Sequence, residues 1–595
     1  MPIAPCRRVA LDSFARNART RDIIAKRCGT DILVGAAFDL AQLIDVRKDL
    51  RHLIGHALQA GIIEFEMREL GDVLRFFRTD LHGESVHSAA LANPRERPPQ
   101  IVAIVLMIVI AFAAIVRMRL LDLPLERDEG EYAYAGQLLL QGVPPYSQAY
   151  NMKFPGMYVA YAAIMAVFGQ TVTAIRLGLL IANAATIVLL YFLTRRLFGN
   201  IAGLMAGAAY AIFSLEPALL GLYAHATHFV NLFVVAALFL LARDRSRFEI
   251  LAAGALLGIA ILIKQQAAAF ALFALLWTRF RRAGYLIGGA AIVGAISAAA
   301  LSLSGVFPRF WLWTIRYAKE YLTSATASQG LELFMMTTRP IFYFAPLMWL
   351  IAAAGLVVLF FKKVQWQFVV GYTIAAVVAI APGFYFREHY FIVLLPPAAI
   401  LVAIAVVSGP RIIAPAAFAI AVVTSLMRMW GLLFALDGNA ITKYVFPSNP
   451  FLETVEVANY LKDHTEENDR IAVLGSEPEI FFYARRKSAT GYIYTYPLME
   501  KQRFAHQMQE EMIAEIERAK PKYLVMVDNA PSWLRRPDSD MTIFNWEQSE
   551  VQRAWTLEGI ADILPNGTAY AWGADAQRYR AQTRNVILVY RRTSS

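Results

Sequence analysis

Apolar runs close to twenty residues long recur from about residue 101 to about residue 433, separated by short turns rich in arginine and lysine. An α-helix needs about that length to cross the roughly 30 Å hydrocarbon core of a bilayer. Inside lipid only helices and closed barrels satisfy every backbone group. The repetition therefore predicts a polytopic α-helical membrane protein, and 57% apolar residues in a chain of 595 exclude an ordinary soluble fold. Hydropathy places spans at roughly 101–121, 172–194, 201–220, 223–242, 249–263, 266–280, 284–303, 341–361, 366–384, 390–408 and 411–433.

The formal charge of +11 is no nucleic-acid footprint, because between the apolar runs the basic residues gather in short turns. Arg195-Arg196, the runs at 242–247 and 279–282, Lys362-Lys363 and Arg411 fall in alternate loops. The excess of positive charge on cytoplasmic loops assigns those turns to the cytoplasm and an inner-leaflet contact. The loop at 122–171, the loop at 304–340, the turn at 386–390 and the tail beyond 436 then lie on the outer face. Eleven spans supply the odd parity that this requires, with the N-terminus inside.

Residues 1–95 form a polar arm with amphipathic helical patterning and no apolar signal segment, joined to the first span by the Pro- and Arg-rich linker at 92–100. Two readings stand for it, a small cytoplasmic helical domain or an over-long gene start that is never ordered. Both cysteines, Cys6 and Cys28, lie there, so no disulfide or cysteine-rich metal site can form in the rest. The transmembrane part occupies 96–436. From 437 to 595 the chain reads as an α/β domain, with short β-branched runs at 470–475, 522–527 and 585–590 between helical stretches. The Gly-Ser-Glu-Pro turn at 475–478 follows a strand but lacks the glycine spacing of a nucleotide loop.

The chemistry concentrates in residues 126–156, ERDEGEYAYAGQLLLQGVPPYSQAYNMKFPG, directly after the first apolar run. Charge held at a membrane surface is costly unless solvated, paired or used. Asp128 and Glu129 are either solvated loop acids or carboxylates that take a proton from an attacking acceptor. Two adjacent acids cannot both face one substrate, and Asp128 is favoured, with Glu131 as support. Lys153 is either an interfacial snorkelling lysine or a point charge suited to phosphate, with Tyr150 beside it in the same substrate-binding stretch.

Further along, Lys264 interrupts an apolar stretch, followed by Gln265 and Gln266, and a buried lysine without a partner is expensive. In the turn at 386–390, Arg387, Glu388, His389 and Tyr390 place a guanidinium, an acid and an imidazole at the end of a span. A local Arg–Glu pair or phosphate capture by Arg387 with His389 both fit. His225, His228 and Glu216 are of metal-ligand type, but no HExxH pattern occurs, and no metal or other cofactor is expected.

Taken in order, the acid pair, the KFPG lysine, the KQ-bearing span, the HYF turn and the C-terminal domain resemble the GT-C glycosyltransferases of the family 39 and aminoarabinose-transferase type. The resemblance covers roughly residues 101–595, and DEGEYAYAGQLLLQG and NMKFPG are its most specific parts. It implies a GT-C-like fold and transfer of a sugar from a polyprenyl-phosphate carrier to a lipid, glycan or protein acceptor at the outer face of the bacterial inner membrane. It also implies inversion without a metal, with Asp128 as the acid-base residue and Lys153, Lys264 and Arg387 on the carrier phosphate. Relatives often carry a second acid at the start of the fourth span, where this chain has Thr227 and His228. Either Glu216 substitutes, or His228 takes a hydrogen-bonding role, or the acceptor or activity differs. A transporter of lipid-linked sugars is the rival class, but internal repeats that would mark one are not seen.

Overall fold

The computed structural model describes residues 99–242, 246–322 and 326–593, so the polar arm expected at 1–95 lies outside the described residues. The chain enters through α1 (Pro99–Arg119) and then runs along α2 (Arg127–Leu140) and α3 (Gly156–Phe168). A bundle follows, made of α4 (Val172–Phe198), α5 (Asn200–Phe213), α6 (Ala226–Leu241), α7 (Arg247–Ile263), α8 (Ala268–Trp277) and α9 (Arg279–Leu303). It is completed by α10 (Ala327–Phe344), α11 (Pro346–Lys362), α12 (Trp366–Ile380), α13 (Leu395–Ser408) and α14 (Ile413–Trp430).

Every apolar run found in the sequence is helical, but their lengths differ. Among the described residues, Gln100–Arg119, Val172–Phe198, Arg282–Leu303, Glu388–Ser408 and Ile413–Ala435 are long and apolar enough to cross a bilayer. A sixth results if α10 and α11, bent by 103° at Ala345, count as one span. The helices α5, α6, α8 and α12 contain 10 to 16 residues. At about 1.5 Å per residue they reach only part of the way across the core. Helix length alone thus marks five or six crossings, and the eleven expected from hydropathy would need the shorter apolar helices to cross together with their flanking turns. Buried almost all round, α13 is the bundle's centre, packed on α5 and α11.

The C-terminal part is a six-stranded mixed sheet in the order β2-β1-β3-β6-β4-β5. Its strands are β1 (Arg470–Leu474), β2 (Lys487–Ser488), β3 (Tyr523–Asp528), β4 (Trp555–Leu564), β5 (Gly567–Trp572) and β6 (Val586–Arg592). The three strands expected from β-branched runs are β1, β3 and β6. The hairpin β4–β5, closed by Pro565-Asn566, was hidden because charged and small residues dilute its alternation. Strand β1 pairs in parallel with β2 and β3, whereas β3, β6, β4 and β5 pair antiparallel.

At the carboxyl ends of the parallel strands β1 and β3, the turn at 475–478 and the segment at 529–533 meet. The Ser532 hydroxyl donates to Glu477 at 2.5 Å and accepts from the Ser476 N–H at 2.9 Å. That edge closes on α2 of the membrane half. The Arg127 guanidinium donates to the Ser476 carbonyl (2.5 Å) and to Glu477 (2.8 Å), with both side chains buried. Beside it, Gly130 lets α2 approach the helix Glu479–Ala484 so closely that a Cβ would stand 2.7 Å from the Glu479 backbone nitrogen. The Tyr483 hydroxyl accepts from the Leu125 N–H and the Tyr134 hydroxyl from the Ser488 N–H.

Removing one partner of a buried ion pair costs roughly 3–5 kcal/mol, because the other charge is left unpaired. Arg127→Ala is therefore expected to free the C-terminal part from α2. Limited proteolysis between residues 437 and 452 and hydrogen exchange across 475–490 should both accelerate, and unchanged protection would show that Arg127 is dispensable for docking.

Candidate active site

The site is assembled at the first turn of α2. Glu126 caps that helix: its carboxylate accepts the Glu129 N–H (2.9 Å), while the Glu129 carboxylate accepts the Glu126 N–H (3.2 Å). This reciprocal box consumes two of the free N–H groups at a helix start. It also sends Asp128 and Glu129 to different sides. Glu129 is buried against the Arg176 guanidinium from α4 and the Ala224 N–H, so its carboxylate is a structural partner. The expectation that Glu129 shares the catalytic role is corrected on that ground.

Asp128 faces a cluster of polar side chains, which we call the reaction chamber. Lys153 bridges it to Glu131, with 2.9 Å to Asp128 and 2.7 Å to Glu131, and Glu131 also accepts from Asn151 and Tyr158. Burial alone would raise the Asp128 pKa, but the Lys153 ammonium, with Lys264 adding to it, pulls it below the usual carboxylate range. Glu126 and Glu131 are raised by burial, the Glu131 shift being opposed by Lys153. Among these acids Asp128 is the one most firmly held ionised.

Two imidazoles stand on the other side. His225, at the N-cap of α6, stacks on His389 with ring centroids 4.3 Å apart and planes 9° apart. His389 Nε2 lies 3.9 Å from Asp128 Oδ2, and His225 Nδ1 lies 3.8 Å from Glu126. The Asn231 side chain of α6, donating to the Ile392 carbonyl at 2.8 Å, brings the two turns together. Neither ring nitrogen of His225 has a hydrogen-bond partner among the described residues. Buried and without a hydrogen-bond partner for a second proton, it is a neutral imidazole.

Asp128, His225 and His389 each offer a ligand atom, all within 4.8 Å of one another. Parallel rings direct their in-plane lone pairs along parallel lines rather than to one point, and Lys153 and Lys264 already supply positive charge. The trio suits hydrogen bonding to a substrate better than chelation.

The cations divide by whether their charge is satisfied. Lys153 is spent on two acids. Lys264 has no hydrogen bond or ion pair among the described residues, and its ammonium sits 4.4 Å over the Tyr390 ring, in the turn between α7 and α8. Burial brings its pKa down to about 7, with Asp128 opposing the shift and Lys153 adding to it. Arg387, exposed in the turn before His389, makes no ion pair among the described residues; the Tyr385 ring lies 5.8 Å from it, and Tyr321, Tyr390 and Glu388 are close enough to favour its charged form.

Other sequence candidates lie elsewhere. Tyr150 is packed in the C-terminal part, donating to Glu515 at 2.9 Å and stacked on Trp313, so its hydroxyl does not reach the chamber. The Gln265 amide donates to the Met152 carbonyl at 2.7 Å, supporting the Lys153 loop from behind. His228 points one helical turn deeper, 3.5 Å from the Asn183 amide, and Glu216 is buried without a hydrogen-bond partner among the described residues. The residue that meets Asp128 from the start of α6 is His225, three positions before His228. Its helical offset from His228 was not resolvable before the helix start was known.

Comparison with known proteins bears on the fold. Residues 153–304 match the family model described as dolichyl-phosphate-mannose-protein mannosyltransferase. No curated protein matches the chain in sequence. Among solved structures, ArnT from Cupriavidus metallidurans bound to undecaprenyl phosphate aligns over 81% of this chain and 97% of its own, at 15% identity and a TM-score of 0.54. The apo form of the same protein aligns over 82% and 98%, at 15% identity and a TM-score of 0.53. The chain therefore shares its fold with ArnT, and a segment of its membrane half matches the mannosyltransferase family model in sequence.

Proposed function

We propose that the protein is a multi-pass inner-membrane glycosyltransferase that moves a sugar from a polyprenyl-phosphate carrier to a lipid, glycan or protein acceptor on the outer face. The observation that carries this reading is one ionised carboxylate, Asp128, close to Lys264, and Arg387 in the neighbouring turn, with neither cation in an ion pair among the described residues. A base and a waiting anion site, side by side, are what displacement of a phosphate from a sugar requires.

In the proposed step the acceptor hydroxyl or amine attacks the anomeric carbon while Asp128 takes its proton. The bond from that carbon to the carrier phosphate oxygen breaks, and the electron pair leaves on the phosphate. Lys264 and Arg387 stabilise the negative charge that grows there. Attack opposite the leaving group inverts the anomeric centre. Lys153 holds Asp128 and Glu131 in place and keeps Asp128 ionised, a different role from the phosphate contact expected of it. Neutral His225 and His389 offer hydrogen bonds to the acceptor or the sugar beside Asp128. For topology we propose eleven crossings, the shorter helices being extended by their flanking turns, with the acid cluster and the C-terminal sheet together on the outer side.

Asp128→Asn should abolish sugar transfer, by a factor of at least about a thousand, while the protein still inserts and folds. Transfer assays on purified protein with endogenous lipid extract decide it, and near-normal turnover removes Asp128 from the mechanism. Lys264→Ala and Arg387→Ala should each weaken carrier binding about ten- to a hundredfold, the cost of roughly 1.5–3 kcal/mol for one charge-assisted contact.

The pH dependence follows from Lys264. Its folded pKa lies below the usual lysine value, so the charged, phosphate-binding form prevails below about pH 7 and is lost above it. A sugar phosphodiester does not titrate in this range. Carrier affinity should be full at pH 6 and fall by up to about tenfold per unit above pH 7. Lys264→Arg should flatten that profile. Binding isotherms between pH 6 and 8.5 test it, and a flat wild-type curve refutes it. Finally, a reporter fused after Asn439 should register on the outer face.

A further inference from the structure

The C-terminal part reaches the reacting groups through one short segment, residues 492–496. Thr495 is pinned inward: its hydroxyl lies 2.9 Å from the Ser476 hydroxyl, and its N–H donates to the same oxygen at 3.0 Å. The residues on either side face the membrane half. The Tyr496 ring lies under the Arg127 guanidinium, 5.4 Å away, and its hydroxyl donates to the Pro531 carbonyl at 2.6 Å. Tyr494 stands edge-on to it, with ring centroids 4.8 Å apart. Its hydroxyl lies 3.5 Å from Asp128 Oδ1 and its ring 5.7 Å from the Lys153 ammonium. On the other side of that ammonium is the Tyr132 ring of α2, at 4.5 Å. The Asp128–Lys153 pair is thus bracketed by one tyrosine from each half of the protein.

Tyr494 differs from the other tyrosines at this junction. Tyr134 and Tyr483 each hold a backbone N–H, and Tyr150 holds Glu515, all at 2.8 to 2.9 Å. These are committed interface bonds. Tyr494 is half-buried, and its contact with Asp128 is at the outer limit of a hydrogen bond. Its phenol is therefore available to another partner without breaking the docking, which Arg127 maintains. An apolar ring face beside a carboxylate and an ammonium matches a sugar ring, which has C–H faces and hydroxyl edges. A bare phosphate or a prenyl tail offers only one of these characters.

Resting on the glycosyl-transfer reading above, we infer that Tyr494 is a positioning residue of the sugar subsite, contributed by the C-terminal part. Its ring stacks on the carrier-linked pyranose or furanose, and its hydroxyl bonds a sugar hydroxyl while steadying Asp128. The role of the C-terminal part is then to complete the reaction chamber.

The test measures binding by the full-length protein in nanodiscs of four probes: undecaprenyl phosphate, and undecaprenyl phosphate bearing mannose, glucose or 4-amino-4-deoxyarabinose. Wild type should bind at least one sugar-bearing probe tenfold or more tighter than the sugar-free lipid. Tyr494→Ala should erase that gain while leaving the sugar-free lipid within twofold of wild type. Tyr494→Phe should keep most of the gain and lower turnover several-fold without a matching rise in donor KM. Tyr494→Leu, which preserves bulk without a ring face, should behave as the alanine variant does and guards against a folding defect. The inference is overturned if Tyr494→Ala and Tyr494→Leu keep the full gain, if they weaken both kinds of probe equally, or if no sugar improves wild-type binding. Failure of wild type to bind even the sugar-free lipid would instead overturn the carrier reading on which the inference rests.

Discussion

Carboxylates gathered at a single helix start set the terms for everything around them. Glu126, Asp128, Glu129 and Glu131 fall within six residues of one helix start, and three of the four are buried. Each needs a partner, and the partners come from distant parts of the chain. Arg176 of α4 takes Glu129, Lys153 takes Glu131 together with Asp128, and the helix's own Arg127 is consumed by Glu477 of the C-terminal part. Satisfying these charges therefore also sews the first helices to the bundle and the sheet to both. A buried ion pair adds little net stability, but losing half of one is severe. The acid helix is for that reason the fulcrum of the architecture.

The same accounting isolates the chemistry. Once the structural pairs are removed, one ionised carboxylate remains facing a chamber, with two neutral imidazoles beside it. Two cations remain outside any ion pair among the described residues, each beside an aromatic face. A cation over a tyrosine ring is held loosely compared with one in an ion pair, so Lys264 and Arg387 are placed but not spent. Burial that would be a liability for a permanent charge here keeps Lys264 near its titration point. The ordered aromatic neighbours Tyr390 and Tyr385 supply position without neutralisation.

Much of this was legible in the residues. Asp128 was separable from Glu129 by the simple argument that adjacent helical residues cannot face one substrate, and the structure sends them apart as that argument requires. Lys264 was conspicuous because an unpaired lysine in an apolar stretch is hard to explain otherwise. Lys153 was read for its charge type correctly but for its partner incorrectly: local sequence shows a cation, not which anion lies 25 residues away in the chain and 2.9 Å away in space. Tyr150, close to Lys153 in sequence, turned out to be committed to the C-terminal part. Arg127 and Tyr494 carried no signal, since one arginine among acids and one tyrosine among several look like ordinary surface.

What the sequence determined by itself was the membrane-embedded helical class, the separate α/β tail and the stretch in which the acids lie. These depend on runs and periodicities, which are local and additive. Which of four carboxylates faces the two imidazoles, which cations stay outside ion pairs, and that His225 rather than His228 meets Asp128 were decided only by the tertiary structure. Electrostatic interactions of this kind fall off over a few ångströms in space and take no account of separation along the chain. They come into being only when the helices pack.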